Sequence, residues 1–219
     1  MQALKNMDII LFGIQGSGKG TQGKMLAEKY NLGVFDMGSQ LRSMIESGSE
    51  LGNKIKDTVD KGNLVDDNAI MQVVEDFLKT VTPEQSVVFD GIPRTMAQSE
   101  KLLSLLKNHN REVFGLIVVI SEEEAIKRLT RRRVCSKCKE IYPAFYKEEE
   151  CAKCGGVLMT RQDDSNIDSI KKRLENYQNE TRPVIDHFKS IDRLIEVDGE
   201  QSIPDVTEEM IDKAGYLFS

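Results

Sequence analysis

The stretch LFGIQGSGKGTQ, residues 11–22, sets Gly13, Gly16, Gly18 and Gly20 and one cation, Lys19, between an apolar run and a segment of helical composition. The preceding MDIILF (7–12) is an apolar run interrupted only by Asp8, the pattern of a strand covered on both faces of a parallel sheet. A helix is expected from Lys19 to about Tyr30. Glycines let successive backbone N–H groups turn into one concavity, and the following helix adds the positive end of its dipole. The spacing Gly13-x4-Gly18-Lys19 follows the phosphate-loop pattern up to its last position, where Gly20-Thr21 replaces an immediate Ser or Thr. A plain strand-to-helix turn would need neither the buried strand nor the lysine in register. The stretch therefore predicts a loop that holds phosphates, with Lys19 as a mobile charge for them.

Outward from this unit, strands and helices alternate. LGVFDM (32–37), SVVFDG (86–91), FGLIVVI (114–120) and RLIEVD (193–198) read as further strands. Helices are expected over 39–47, 51–61, from about Asp67, over 95–108 and 122–132, from about 165, and at the C-terminus. Apolar positions 70, 73, 74, 77 and 78, and 167, 170, 174 and 177, recur at helical spacing. The alternation predicts an α/β, doubly wound core, and 219 residues suffice for one such core with an inserted lobe or two.

The net charge of -6 speaks against a nucleic-acid coat or a basic membrane anchor. The N-terminal apolar run is too short for a signal peptide, and no stretch approaches a membrane span, so a cytoplasmic protein is expected. An anionic ligand must then be met by local cations. FDGIPRTMAQ (89–98) ends a strand on Asp90, where α/β sheets bind ligands, and brings Arg94 and Gln98 within a turn. Arg128 and Arg132 are spaced to share a helix face, Arg133 follows, and Arg161 and Arg173 flank the next helix. Each alone reads as a solvated charge; together, in an acidic chain, they predict a converging anion site. His109 and His187 have no partner motif and read as structural or surface residues.

Residues 134–160 break the α/β pattern. Cys135-x2-Cys138 and, twelve residues on, Cys151-x2-Cys154 can present four sulfurs tetrahedrally to Zn²⁺. Iron fits the same cage, and a disulfide framework fits an expected cytosolic chain less well. The segment has too few apolar residues for a core of its own, so a metal would fold it, and four Cys leave no open position for catalysis. Tyr142, Phe145 and Tyr146 are expected to pack inside it.

GIQGSGKGTQ, GNLV (62–65), FDGIPRT (89–95) and the run from Arg128 through TRQDD (160–164) to KKRL (171–174) together resemble adenylate kinases of the zinc-lid type, over essentially the whole chain. The resemblance implies a phosphate-loop fold: a five-stranded parallel sheet flanked by helices, with core 1–36, 67–128 and 167–219, a helical monophosphate lobe at 37–66 and a metal-binding lid at 129–166. It implies transfer of the terminal phosphoryl of ATP to AMP, giving two ADP, by a monomer. Gly16, Ser17, Gly18, Lys19, Gly20 and Thr21 would surround the ATP phosphates. Arg42 and Arg94 would clamp the acceptor phosphate, and Met37, Gly38, Val65, Gly91 and Gln98 would line the AMP side. Arg128, Arg132, Arg161 and Arg173 would surround the transferring group, and Asp90 would hold Mg²⁺ through waters.

The chain departs from the family at Gln15, in place of Pro, and at Met37 and Ser39, in place of Thr and Asp. A thioether donates no hydrogen bond, so a uridylate/cytidylate or broad monophosphate kinase stays open as an alternative. A zinc ribbon gripping nucleic acid is a second alternative; the acidic balance opposes it.

Overall fold

The computed structural model describes residues 6–143, 145–161, 164 and 166–218. Its central sheet is built from β1 (Asn6–Phe12), β2 (Gly33–Asp36), β3 (Val87–Asp90), β4 (Arg111–Val119) and β8 (Leu194–Asp198), all parallel, in the order β2-β3-β1-β4-β8. The inner strands are apolar along most of their length because both faces are covered. Ile9, Leu11, Val88, Leu116 and Val118 point into one core, against α1 (Lys19–Tyr30) and α9 (Ile203–Ala214) through Leu26, Ala27, Val206 and Met210. Ile10, Phe12, Phe35, Phe89 and Ile117 point into the other. That core is roofed by α4 (Asp67–Leu78), α5 (Met96–Asn108), α7 (Ile167–Asn176) and α8 (Arg182–Ser190). Each fully buried Leu, Ile or Phe contributes about 1.5–3 kcal/mol, so the sheet is a rigid platform for whatever sits at its strand ends.

Two excursions leave this platform. α2 (Met37–Glu46) and α3 (Glu50–Asp60) form a helical pair between β2 and α4. After α6 (Glu122–Leu129), a three-stranded antiparallel sheet, β6-β5-β7, is made from β5 (Arg133–Cys135), β6 (Ile141–Tyr142) and β7 (Leu158–Thr160). Its apolar cluster holds only Cys135, Tyr142, Cys151 and Leu158, with Tyr146 against it.

Four expectations change. α6 stops at Leu129 rather than 132, and Arg133 already lies in β5, so Arg128 and Arg132 do not share a helix face. The helix expected from about 165 begins at Ile167 and is broken by a π-helical turn, Tyr177–Thr181, before α8. Pro183 supplies the reason: it has no N–H for the ladder and clashes with the carbonyl one turn back. The ladder steps to i→i+5 ahead of it, with Arg182 N–H donating to Tyr177 O. Ile167, at the first position of α7, is 46% exposed, whereas Ile170, Leu174 and Tyr177 are buried as their spacing requires. Phe145 is 70% exposed and does not pack inside the cysteine segment; Tyr142 and Tyr146 do, with ring centroids 4.4 Å apart.

Candidate active site and metal centre

The loop joining β1 to α1 turns through Gly16 (φ 90°) and Gly18 (φ 92°), a backbone that L side chains rarely adopt. A Cβ on Gly16 would sit 2.9 Å from Ala125 O, whereas nothing lies within 4 Å of one on Gly18, which faces open space. Ser17 is buried; its N–H donates to Ile14 O (3.0 Å), and its Oγ accepts from Lys19 N–H (3.4 Å). Asp36, Ser49, Asp66, Thr95, Ser121, Asn166 and Ser202 each cap their helix with a side-chain oxygen. α1 has Gly18 at that position and no side-chain cap. Apart from Lys19 N–H, its first amides lack a side-chain cap and suit an anion from outside.

Register then assembles the charges. Asp36 and Asp90 are direct partners at the ends of β2 and β3. The first turn of α1 lies against them, and a Cβ on Gly20 would be 2.9 Å from Asp90 Oδ2. Burial pushes the Asp90 carboxyl up, opposed by Lys19. Desolvation holds the Lys19 ammonium below its usual value; Asp90 works against this, and Arg94 and Arg132 add to it. Burial would also raise Asp36, but hydrogen bonds from Ser39 and the charges of Arg42 and Arg161 outweigh it and leave Asp36 lowered. Arg42 Nη2 donates to Ser39 Oγ at 3.2 Å and lies 4.0 Å from Asp36. Arg94 Nε donates to Gly91 O at 3.0 Å, and Thr181, in the π-helical turn, donates to Arg94 O at 3.0 Å.

Asp164, absent from the candidate residues read in the sequence, is the organiser of two of them. Its buried carboxylate accepts from Arg132 Nε (2.7 Å) and Nη2 (2.9 Å), and from Arg173 Nη2 (2.7 Å). The signal was available in TRQDD; Gln162 and Asp163 of that motif lie outside the described residues. Arg128 is held apart from this group. It pairs with Glu124 (2.9 Å) and donates to Gly199 O (3.0 Å) and to Ser17 O (3.4 Å), at the rim of the glycine loop. Met37 and Val65 are buried, and a Cβ on Gly91 would meet Met37 Cβ at 3.4 Å and Arg94 Nη2 at 3.5 Å. Six cations and three carboxylates are thus gathered at the ends of β1, β2 and β3, so this region is short of negative charge in a chain that has an excess of it.

The four cysteines converge as their spacing requires. All four Sγ atoms lie within 4.8 Å of one another; the Cys135–Cys154 and Cys138–Cys151 pairs are 3.5 Å apart. A tetrahedron with bonds near 2.3 Å has edges of about 3.8 Å, so the donor set fits a four-thiolate metal. Both Cys-x-x-Cys turns end on a left-handed residue whose N–H returns to the first Cys carbonyl: Lys139 (φ 60°) to Cys135 O at 3.1 Å, and Gly155 (φ 67°) to Cys151 O at 2.8 Å. Lys137 and Cys138 N–H groups approach Cys135 Sγ at 3.4 Å, and the Tyr142 hydroxyl lies 3.1 Å from Cys151 Sγ.

Among the described residues no helix is long and apolar enough to cross a membrane. A family model described as Adenylate kinase matches residues 11–193, from the glycine loop through the cysteine segment to the start of β8. A protein named adenylate kinase from Archaeoglobus fulgidus is 38% identical over 209 residues, 93% of this chain and 96% of the relative. One from Chloroherpeton thalassium is 40% identical over 210 residues, again 93% and 96%, and one from Acetivibrio thermocellus is 36% identical over 210 residues, 94% and 96%. Because the match runs unbroken through an uncapped phosphate-ready helix and the arginines gathered above it, the chain belongs to the adenylate kinase family, the phosphotransferases that move the terminal phosphoryl of ATP to AMP.

Proposed function

We propose that the cleft above β1 and β3 performs this transfer by alignment and charge neutralisation, with the residue roles that follow. One observation carries the assignment: six cations, outnumbering the carboxylates, surround a helix start that no side chain caps. The amides of residues 16–21 and Lys19 hold the ATP phosphates. Arg42 and Arg94 clamp the AMP phosphate. Arg132, Arg161 and Arg173 converge on the group in flight, and Asp164 keeps the first and last of these in plane. Arg128 supports the glycine loop and borders the ATP side. The acceptor phosphate is anionic at neutral pH, so no side chain need remove a proton, and the barrier falls through in-line positioning and dispersal of charge. Adenylate kinases use Mg²⁺ with ATP; Asp90 would hold that ion through waters, and the ion would supply positive charge to offset that of the phosphates.

The same reading divides the chain into a core (1–36, 67–128, 167–219), a monophosphate lobe (37–66) and a lid (129–166), and makes the protein a cytoplasmic monomer. In the lid, Cys135, Cys138, Cys151 and Cys154 would hold Zn²⁺ in a structural role, because a cluster of four buried residues cannot stabilise three short strands alone. A phosphotransfer assay with ATP and Mg²⁺ across AMP, UMP, CMP and GMP tests the site and its acceptor together. AMP is expected to be used well ahead of the others. Equal use of UMP or CMP would transfer the acceptor site to the pyrimidine class.

A further inference from the structure

Gln98 sits at the third position of α5 and is 3% exposed. Thr95 and Gln98 form a helix-start box: Gln98 N–H donates to Thr95 Oγ1 (3.1 Å), and the Gln98 side-chain oxygen accepts from the backbone, here from Arg94 N–H at 2.7 Å. That box uses only the oxygen and would accept Glu as readily. The amide nitrogen is engaged separately, donating to Asp67 Oδ1 at 2.8 Å, from the first residue of α4. A backbone N–H can only donate and a carboxylate can only accept. Turning the amide over would set NH₂ against N–H and oxygen against carboxylate, so these two partners admit one orientation. One hydrogen on Nε2 and one lone pair on Oε1 are left.

We propose that Asp67 is a specificity-determining positioning residue: by fixing the Gln98 amide it makes the acceptor site read a 6-amino purine and refuse a 6-oxo purine. The inference rests on the reading above that Gln98 faces the acceptor base. Adenine offers an N–H donor at position 6 beside an acceptor at N1, complementary to oxygen and N–H on the amide. Hypoxanthine and guanine offer the reverse, an acceptor at position 6 beside N1–H. A free amide serves either by rotating; a fixed one serves only the first. Rejection is then strong, because the wrong base leaves buried polar groups unpaired. The apolar Met37 beside Gly91 cannot make this distinction, which places it on Gln98 and its anchor.

The test compares AMP with IMP, which differ only along this edge, by the ratio of their kcat/KM values. Asp67→Ala should lower the AMP-to-IMP ratio by about tenfold, the value of one lost hydrogen bond to a charged group. Asp67→Asn, which still offers an oxygen to Nε2, should keep the ratio within about twofold. Because it is a ratio, partial loss of folded enzyme cancels. An unchanged ratio in Asp67→Ala overturns the proposal. Gln98→Leu separates the two levels: if it collapses the ratio and Asp67→Ala does not, the anchor is wrong; if it leaves the ratio intact, Gln98 does not face the base. Should Asp67→Ala fail to fold, the unmodified protein decides. The Gln98 side-chain hydrogen bonded to Asp67 should exchange slowly with solvent in ligand-free enzyme; rapid exchange of both amide hydrogens would overturn the fixed orientation.

Discussion

Lys19 shows how a residue of the proposed site is held against its own preference. It is a cation desolvated among other cations, and its ammonium is easier to deprotonate in the folded chain than in the unfolded one. Between those two values the unfolded state binds more protons, so folding stability rises with pH across that interval. Lys19→Met should abolish the rise, measured by denaturant unfolding from pH 7 to 10, and should not lower the melting temperature at neutral pH. It should lower kcat by about 10²–10³-fold, the usual loss on removing one charge-stabilising donor. Normal turnover would remove Lys19 from the phosphates. Arg94→Ala should act mainly on the acceptor, raising KM for AMP more than KM for ATP. An unchanged KM for AMP would contradict the clamp.

At the scale of elements, the four-cysteine segment is where a bound metal would substitute for a core. Removing the metal with a chelator should open residues 133–160 to proteolysis while the central sheet stays resistant; protection of this segment without metal would show that its strands hold by themselves. The two cysteine turns share one backbone conformation, yet only one has glycine at its left-handed position. Lys139 takes that conformation at a steric cost and reaches across to Glu46 of α2 at 2.9 Å. The pair is exposed, so it contributes little. The backbone effect should dominate: Lys139→Gly should relieve a cost of about 1–2 kcal/mol in the turn, whereas Lys139→Val, with its branched Cβ, should destabilise it. The rate at which a colorimetric chelator extracts the metal measures both. Equal rates in the two variants would mean that the left-handed turn does not limit metal retention.

Across the whole molecule, the strand ends opposite the active cleft are joined by a buried ion pair. Arg111 Nε and Nη2 donate to Asp8 at 2.7 and 2.8 Å, Val87 N–H adds a third bond to that carboxylate at 2.8 Å, and Arg111 also reaches Gln85 O. The pair therefore ties β1, β3 and β4 at one point. Arg111→Met leaves the Asp8 carboxyl buried without its partner, and should cost about 3–5 kcal/mol in urea unfolding. Asp8→Leu combined with Arg111→Met should recover much of that loss; no recovery would mean that packing, not charge, is what the pair supplies. Nothing in the composition around Asp8 announced this pairing, whereas the glycine loop, the five parallel strands and the clustering of four cysteines were legible as residues alone. Those features are short-range: a glycine's backbone freedom, an apolar run covered on both sides, or thiols two residues apart act within one segment. Sequence alone also supported the family, because its motifs are of that kind. The rest depended on which helices pack together. Asp164 serves Arg132 from 32 residues away, Asp67 fixes Gln98 from 31, and Lys139 reaches Glu46 across 93. In each case a side chain's partner is chosen by where the folded elements bring it, and no spacing along the chain encodes that distance.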